Sequence, residues 1–256
     1  MSSSIFITGA AGGIGEAIAR AASAEGYRVG VFDLDGEAAA ETAASLPDAI
    51  ALQGSVTDEA DVDRALDEFG STPDAFVNNA GIVRFGPLMD QSEADWRAVI
   101  EVNLTGTFIG ARAVARRMVD DGGGAIVNIA SINGIAPGPN AGAYAAAKAG
   151  VIMMTQQMSI EWGPEGVRVN SVAPGLIDGG MSAPIFANEE FRKMRMAKIP
   201  TRRLGLCEDV AHAVMYLVSP KASYVNGAQI VVDGGVVNSI IANLPRPASI
   251  DGVGSD

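Results

Sequence analysis

Short apolar runs alternate with longer segments of helical periodicity along most of this chain. The runs are nearly continuous in apolar residues, and they cover positions 5–7, 29–32, 49–52, 75–77, 125–129, 167–172 and 230–232. Behind the first run, apolar residues recur at the spacing of an amphipathic helix. Strands that read this way are buried on both faces. The pattern therefore predicts an α/β fold with a doubly wound parallel sheet of about seven strands and helices on both faces.

Two segments depart from this rhythm. Residues 177–205 are polar and rich in methionine, and they follow the sixth run. Irregular segments after strand ends carry much of the specificity in α/β folds, so we expect a substrate lid there. Residues 236–256 are expected to form an irregular tail. Nothing in the middle of the chain resembles a linker, which predicts one domain over residues 1–256.

Composition narrows the class of protein. The chain is 48% hydrophobic and 19% charged, which favours a large buried core over disorder. Its net charge of −12 disfavours nucleic acid and anionic membranes as partners. The one cysteine, Cys207, excludes an intrachain disulfide, and no signal peptide or membrane-length apolar run is visible. We expect a cytoplasmic protein.

A glycine-rich loop, Thr8–Gly15, lies directly after the first run and leads into the first helical pattern. Gly9 would permit the turn, Gly13 a close approach to a pyrophosphate, and Gly15 the packing of helix on strand. A helix N-terminus behind such a loop attracts phosphate. The arrangement indicates a Rossmann-type dinucleotide site, and a flexible turn is the alternative.

Asp33 ends the second run, where an acidic residue can accept the adenosine ribose hydroxyls and repel a 2′-phosphate. Its neighbours Gly12 and Leu34 offer no positive charge to hold that phosphate. The site is therefore predicted to prefer NAD over NADP. The alternative for Asp33 is a residue that only caps a turn.

Tyr144 and Lys148 lie four residues apart in a helical pattern, which places a phenol and an ammonium on one helix face. A phenol titrates near pH ~10, so a base at neutral pH needs roughly 4 kcal/mol of stabilisation of its anion. One close positive charge supplies about that amount. A packed ring beside a snorkelling lysine would show the same spacing.

Several motifs together resemble the short-chain dehydrogenase/reductase family over nearly the whole chain. They are the loop Thr8–Gly15, Asn78–Gly81, Asn103, Ser131, Tyr144 with Lys148, Pro174–Gly175 and Asp233–Gly235. The resemblance implies hydride transfer between a secondary alcohol or ketone and a nicotinamide.

The resemblance assigns the catalytic roles. Tyr144 is the acid or base, and Lys148 lowers its pKa and holds the nicotinamide ribose. Ser131 donates a hydrogen bond to the substrate oxygen, and Asn103 holds a water in a proton relay to the lysine. The alternatives are a capping serine at position 131 and a buried, helix-stabilising amide at position 103.

The remaining expected contacts fall into two groups. Cofactor contacts are expected at Gly9, Gly12, Gly13, Ile14, Gly15, Asp33, Leu34, Ser55, Val56, Asn79, Ala80, Gly81, Tyr144, Lys148, Pro174, Gly175 and Ile177. Substrate contacts are expected at Ser131, Asn133, Tyr144, Met181, Ile185 and Phe186. No metal site is visible, and the single histidine, His212, is expected at the surface or in packing.

Two positions depart from the family pattern. Ser55 stands where the family commonly has an aspartate near the adenine. Gly179 stands where a threonine usually contacts the nicotinamide carboxamide, so backbone groups of Ile177 are expected to take over that contact. The absence of the threonine hydroxyl is expected to affect the affinity for the cofactor and not the hydride-transfer chemistry.

The sequence thus predicts an NAD-dependent dehydrogenase of a hydrophobic or cyclic secondary alcohol. A ketoreductase resembling 3-oxoacyl carrier protein reductases is one alternative, and a non-catalytic NAD(H)-sensing protein is another. The basic residues within 192–203 are either a solvated face or a site for an anionic substrate or acyl carrier. The resemblance also implies a homotetramer, with helices near 92–119 and 144–162 between subunits.

Overall fold

Seven parallel strands form one sheet in residues 3–239, which are the residues that the computed structural model describes. Their order across the sheet is β3-β2-β1-β4-β5-β6-β7. The strands are β1 (Ser4–Thr8), β2 (Arg28–Asp33), β3 (Ala49–Gln53), β4 (Ala75–Asn78), β5 (Gly124–Ile129), β6 (Val167–Pro174) and β7 (Gln229–Val232). Each apolar run of the sequence corresponds to one strand, so the predicted doubly wound sheet is confirmed.

Helices connect the strands, and several begin at polar caps. They are α1 (Gly13–Ala24), α2 (Gly36–Ala44), α3 (Glu59–Phe69), α4 (Glu93–Ile100), α5 (Gly106–Asp120), α6 (Ala143–Trp162), α7 (Ala183–Phe186), α8 (Glu189–Met196) and α9 (Cys207–Val218). Side chains of Asp35, Asp58, Ser92 and Asn188 accept backbone N–H groups at the starts of α2, α3, α4 and α8. Such caps satisfy donors that the first helical turn leaves without partners.

Alternate residues of the strands pack into two cores, one on each face of the sheet. Ile5 and Ile7 of β1 face the core formed with α1 and α9, whereas Phe6 between them faces α3 and α5. Phe6 contacts the rings of Phe32 and Phe76, with centroids 5.7 and 5.5 Å away. Both faces of the sheet are therefore covered, as the continuous apolar runs predict.

A π-helical turn, Glu101–Thr105, joins α4 to α5 and makes one helical segment of 28 residues, Glu93–Asp120. By length and composition this segment could cross a membrane, which the apolar runs of the sequence did not suggest. Half of its most apolar window is buried inside the fold, as in the core helix of a soluble protein. Single π-helical turns in longer helices often occur at functional sites.

The segment predicted as a lid is bounded by a backbone bridge between Ile177 and Gly205. It contains α7 and α8 and forms a small hydrophobic cluster of its own. The buried members of this cluster are Phe186, Ile199 and Leu204. The lid function stays a prediction. Most of the predicted tail, residues 240–256, lies outside the described residues.

Candidate active site

A cleft of about 510 Å³ lies at the carboxyl ends of the strands. The order in which the parallel strands are connected switches direction between β1 and β4, and ligands in open α/β sheets bind in the crevice beside such a point. The cleft is lined by every residue predicted to contact the cofactor except Gly15. Its volume is within the range of small-molecule sites.

Positive φ angles and close backbone contacts explain the glycines of the loop Thr8–Gly15. Gly9 and Gly13 have φ of 64° and 57°, a region that favours glycine. A Cβ atom at Gly9 would lie 2.8 Å from the Cα atom of Ala80. A Cβ at Gly15 would clash with the Gly9 carbonyl oxygen, so Gly15 serves helix packing and does not line the cleft. Asn79 braces the loop by donating from Nδ2 to the Gly9 carbonyl oxygen at 2.8 Å.

Asp33 is fixed at the end of β2 by two backbone donors. Its Oδ2 accepts from Ala11 N at 3.0 Å, and its Oδ1 accepts from Asp35 N at 3.1 Å. Among the described residues, the charged side chains that line the cleft are Asp33 and Lys148. The Asp33 end of the cleft therefore presents a negative charge without a lining cation beside it.

Ser131 and Tyr144 meet at the inner part of the cleft. Ser131 follows β5, and its hydroxyl accepts from Asn133 N at 3.1 Å. Burial raises the pKa of Tyr144 above its ordinary value of 10.0, while a hydrogen bond with Ser131 lowers it in part. Burial outweighs this hydrogen bond. The expected lowering of the Tyr144 pKa by Lys148 stays a prediction.

Lys148 is buried beneath the tyrosine, with 3% of its surface exposed. Its Nζ donates to the Ile129 carbonyl oxygen at 2.7 Å and lies 5.6 Å from the centroid of the Tyr144 ring. Burial lowers the pKa of Lys148 from 10.5 to about 8. The helical spacing thus brings the two groups together as predicted, with Lys148 buried and Tyr144 half-buried.

Asn103 lies in the π-helical turn and is fully buried. Its Nδ2 donates to the carbonyl oxygens of Ile82 and Val99, at 2.8 and 2.9 Å. Its Oδ1 has no hydrogen-bond partner among the described residues. A Cβ atom at Gly81 would lie 2.6 Å from this Oδ1 and 3.7 Å from Lys148 Nζ. The two polar atoms therefore face one small space, which exists because residue 81 is glycine.

The structure brings three of the six predicted substrate residues, Ser131, Tyr144 and Met181, to the cleft. Ile185 and Phe186 instead pack in the hydrophobic cluster of the lid segment. The side chain of Asn133 turns to its own loop, where Oδ1 accepts from Gly138 N at 3.0 Å. The side chains of these three residues thus lie in the lid cluster and in a loop rather than along the cleft, and their substrate contacts stay a prediction.

Ile82, Val102, Gly180 and Ser182 are among the residues that line the cleft without having been predicted to contact cofactor or substrate. Ile82 directly follows the Asn78–Gly81 motif, which is a signal that the sequence offers. No pattern marks the other three, because their placement depends on the π-helical turn and on the start of the lid segment.

The two departures from the family pattern have structural partners. The Ser55 hydroxyl lies 2.8 Å from the Thr57 hydroxyl, and Ser55 N donates to Asp61 Oδ2 at 2.9 Å. At Gly179 a Cβ atom would lie 2.6 Å from the sulfur of Cys207. The thiol therefore takes the space that a larger residue at position 179 would need.

Three of the six basic residues of the lid segment are paired with acidic neighbours. Arg192 contacts Asp178 at 2.5 Å, and Lys193 and Arg203 contact Glu189 and Asp209. None of these basic side chains lines the cleft. This arrangement favours a largely solvated, paired face. His212 is exposed on α9, as expected, and no cluster of potential metal ligands occurs within residues 3–239.

Comparison with known proteins gives consistent matches over the chain. A family model described as enoyl-(acyl carrier protein) reductase matches residues 9–237. The chain is 39% identical to 2-(S)-hydroxypropyl-CoM dehydrogenase 3 of Xanthobacter autotrophicus, over 91% of this chain and 95% of that protein. It is 42% identical to cis-4-hydroxycyclohexanecarboxylate dehydrogenase of Sinomonas cyclohexanicum, over 90% and 94%.

Solved structures share the fold. The 3-oxoacyl-[acyl-carrier protein] reductase of Brucella melitensis superimposes with a TM-score of 0.87 at 35% identity. The alignment covers 92% of this chain and 91% of that one. The relatives thus include dehydrogenases and reductases of the same architecture.

Proposed function

Because the chain belongs to the short-chain dehydrogenase/reductase family, we propose that it interconverts a secondary alcohol and its ketone with NAD(H). One observation carries this proposal: Ser131, Tyr144 and Lys148 converge in a cleft whose other end holds Asp33 and the glycine loop. The cleft therefore combines a proton donor and acceptor with the features of a dinucleotide site.

The residues present fit a nicotinamide dinucleotide. Its pyrophosphate would lie against the glycine loop, where Gly9 and Gly13 leave backbone N–H groups uncovered by side chains. Asp33 would hold the adenosine ribose, and the groups near Ile177 would hold the nicotinamide end. When bound, the cofactor supplies or accepts the hydride.

The side chains of this protein transfer the substrate proton and stabilise the negative charge that develops on the substrate oxygen. In oxidation, the Tyr144 phenolate accepts the proton of the substrate hydroxyl, and in reduction the phenol returns it to the carbonyl oxygen. The Ser131 hydroxyl donates to the substrate oxygen while that oxygen carries negative charge. Lys148 and Asn103 supply a polar route beneath the tyrosine, because Nζ and Oδ1 face the same space.

A bound cofactor would also change the pKa of Tyr144, which burial raises. An oxidised nicotinamide is positively charged, and a positive charge near a phenol favours its anion. The pKa of Tyr144, which burial raises, is thus compatible with a base when the cofactor is bound.

Preference for NAD follows from the charge at the Asp33 end of the cleft. A carboxylate accepts the two ribose hydroxyls and repels the 2′-phosphate of NADP. We expect Asp33→Ser to lower kcat/KM with NAD+ by about 10- to 100-fold, since a hydrogen bond to a charged group contributes roughly 1.5–3 kcal/mol. The same change should raise kcat/KM with NADP+.

Asp35→Ser is the matched control for this experiment. It removes one negative charge two residues away and leaves a side chain that can still cap α2. Kinetics with both cofactors for the wild type and both variants measure the effect. A wild-type preference for NADP+, or equal losses in the two variants, would refute the role of Asp33.

The substrate is proposed to be a hydrophobic or cyclic secondary alcohol. Ile82, Val102 and Met181 make part of the cleft wall apolar. The relative from Sinomonas cyclohexanicum is named for a hydroxycyclohexanecarboxylate, a cyclic alcohol. We expect a panel of secondary alcohols with NAD+ to show turnover, with cyclic or apolar members preferred over polyols.

The competing reaction is the reduction of 3-oxoacyl groups on a carrier. The matching family model and the solved Brucella melitensis relative are both named for carrier-linked substrates. Thioesters of 3-hydroxyacyl and 3-oxoacyl chains therefore belong in the same panel. Activity restricted to these thioesters would overturn the alcohol proposal and favour the ketoreductase.

A homotetramer is the proposed assembly. Large apolar side chains remain exposed on the helices that we expect between subunits, namely Trp96 of α4, Phe108 of α5, and Met153 and Ile160 of α6. A second copy of the chain could cover them. Light scattering at micromolar concentration should give four times the mass of 26.2 kDa, and a monomer would refute the assembly.

A further inference from the structure

A chain of buried hydrogen bonds runs through the protein one layer below the cleft. Asn128 of β5 donates from Nδ2 to Thr155 Oγ1 of α6, at 2.9 Å. The Thr155 hydroxyl donates its only hydrogen to the Val151 carbonyl oxygen at 2.8 Å, so towards Asn128 it must accept. Asn128 and Thr155 are 0% and 1% exposed. Water cannot readily replace either partner.

The same chain of hydrogen bonds continues from β5 to the neighbouring strand β4 and to α5. Asn128 Oδ1 accepts from Asn78 Nδ2 at 2.9 Å, and that Nδ2 also donates to the Thr107 carbonyl oxygen of α5 at 3.2 Å. Thr107 in turn donates its hydroxyl to the Asn103 carbonyl oxygen at 2.8 Å. The two helical segments that carry Asn103 and Tyr144 are thus joined through strands β4 and β5.

Helix α6 is hydrogen-bonded to β5 at two points along the helix axis. Near the cleft, Lys148 Nζ donates to the carbonyl oxygen of Ile129, the residue after Asn128. Thr155 lies seven residues beyond Lys148, about two helical turns or ~10 Å along the axis. Between these points the buried residue of α6 is the apolar Val151. Apolar contacts of this kind resist axial sliding less than hydrogen bonds do.

We propose that Asn128 and Thr155 are a positioning pair that sets the axial placement of α6 on β5 and thereby the approach of the Tyr144 hydroxyl to Ser131. Ser131 lies three residues after Asn128 on the same chain segment, so both ends of that approach depend on the pair. The catalytic part of this inference rests on the proposed function. Neither residue is assigned contact with substrate or cofactor.

The test compares two substitutions at one position. Thr155→Val keeps the shape but leaves the Asn128 Nδ2 donor without its partner, whereas Thr155→Ser keeps the hydroxyl. We expect Thr155→Val to lower kcat by about 30-fold with little change in KM for NAD+, since small misplacements of reacting groups are costly. Thr155→Ser should remain within about threefold of the wild type.

Met158→Ala controls for lost stability alone. Met158 is a buried apolar residue of the same helix, and its truncation leaves the hydrogen-bond chain intact. A purely structural role predicts equal kcat for Thr155→Val and for Met158→Ala when their melting temperatures fall equally. That equality would overturn the inference. If Thr155→Val does not fold, Thr155→Cys replaces it, because a thiol is a weak acceptor.

A second readout does not need a substrate. The near-ultraviolet absorbance of tyrosinate, taken as the difference between the wild type and Tyr144→Phe, reports the titration of Tyr144. Loosening α6 should admit water to a phenol whose pKa is raised by burial, so Thr155→Val should shift the midpoint downwards by about half a unit or more. Thr155→Ser and Met158→Ala should leave it unchanged, and an unshifted Thr155→Val would refute the pair.

The two proposals fail in different ways. If Tyr144→Phe retained wild-type turnover, the proposed function would fall, while the titration would still decide whether the pair positions α6. If Tyr144→Phe abolished turnover and Thr155→Val behaved like Met158→Ala in both readouts, only the positioning pair would fall.

Discussion

Tyr144→Phe should lower kcat for alcohol oxidation on the order of 10³-fold, because it removes the group that accepts the substrate proton. The ring remains, and the lost hydroxyl is one partner of the hydrogen bond with Ser131. We therefore expect the melting temperature and the affinity for NAD+ to change little. Steady-state kinetics, thermal unfolding and a cofactor titration measure the three quantities.

Tyr224→Phe is the control, since Tyr224 is fully exposed and far from any assigned role. It should leave kcat unchanged. Undiminished turnover in Tyr144→Phe would remove the proposed mechanism.

Lys148→Met should lower kcat by about 100-fold and also change how stability depends on pH. Methionine has a similar length but neither the charge nor the donor to the Ile129 carbonyl oxygen. In the wild type the pKa of Lys148 is lowered from 10.5 to about 8. Between these values the unfolded state binds more protons than the folded state, so wild-type stability rises with pH in this window.

The size of that rise follows from the shift. A lowering of the pKa from 10.5 to about 8 corresponds to about 3 kcal/mol, which the folded protein gains as pH increases through the window. Below it, lysine is charged in both states and the gain is absent. Urea unfolding of wild type and Lys148→Met at the two ends of the window measures the difference, in which other titrating groups cancel. Parallel pH profiles would contradict a buried, perturbed lysine.

The sheet could be predicted from the sequence because each strand is a short apolar run, and no tertiary contact is needed to see it. The glycine loop was equally visible, since positive φ at Gly9 and Gly13 requires the residue that the sequence shows. The convergence of Tyr144 with Lys148 followed from helical spacing alone. These features depend on local geometry.

Features that depend on burial could not be predicted in the same way. Spacing placed Lys148 beside Tyr144 but did not reveal how much water the two groups lose, and this loss raises the pKa of Tyr144 and lowers that of Lys148. Ile185 and Phe186 lie in the four-residue helix α7, where periodicity cannot say which face meets the cleft. The buried chain through Asn128 and Thr155 joins residues far apart in the sequence, and neither stands in a pattern that predicts the other.

The contact between Gly179 and the sulfur of Cys207 also constrains how this protein can diverge. A side chain at position 179 would meet that sulfur at 2.6 Å, so the thiol would first have to rotate away or be lost. A mutational path from glycine to threonine at position 179 is therefore easiest through an earlier change at position 207. Descendants of this chain should show the two positions changing in that order, although 28 residues separate them in the sequence.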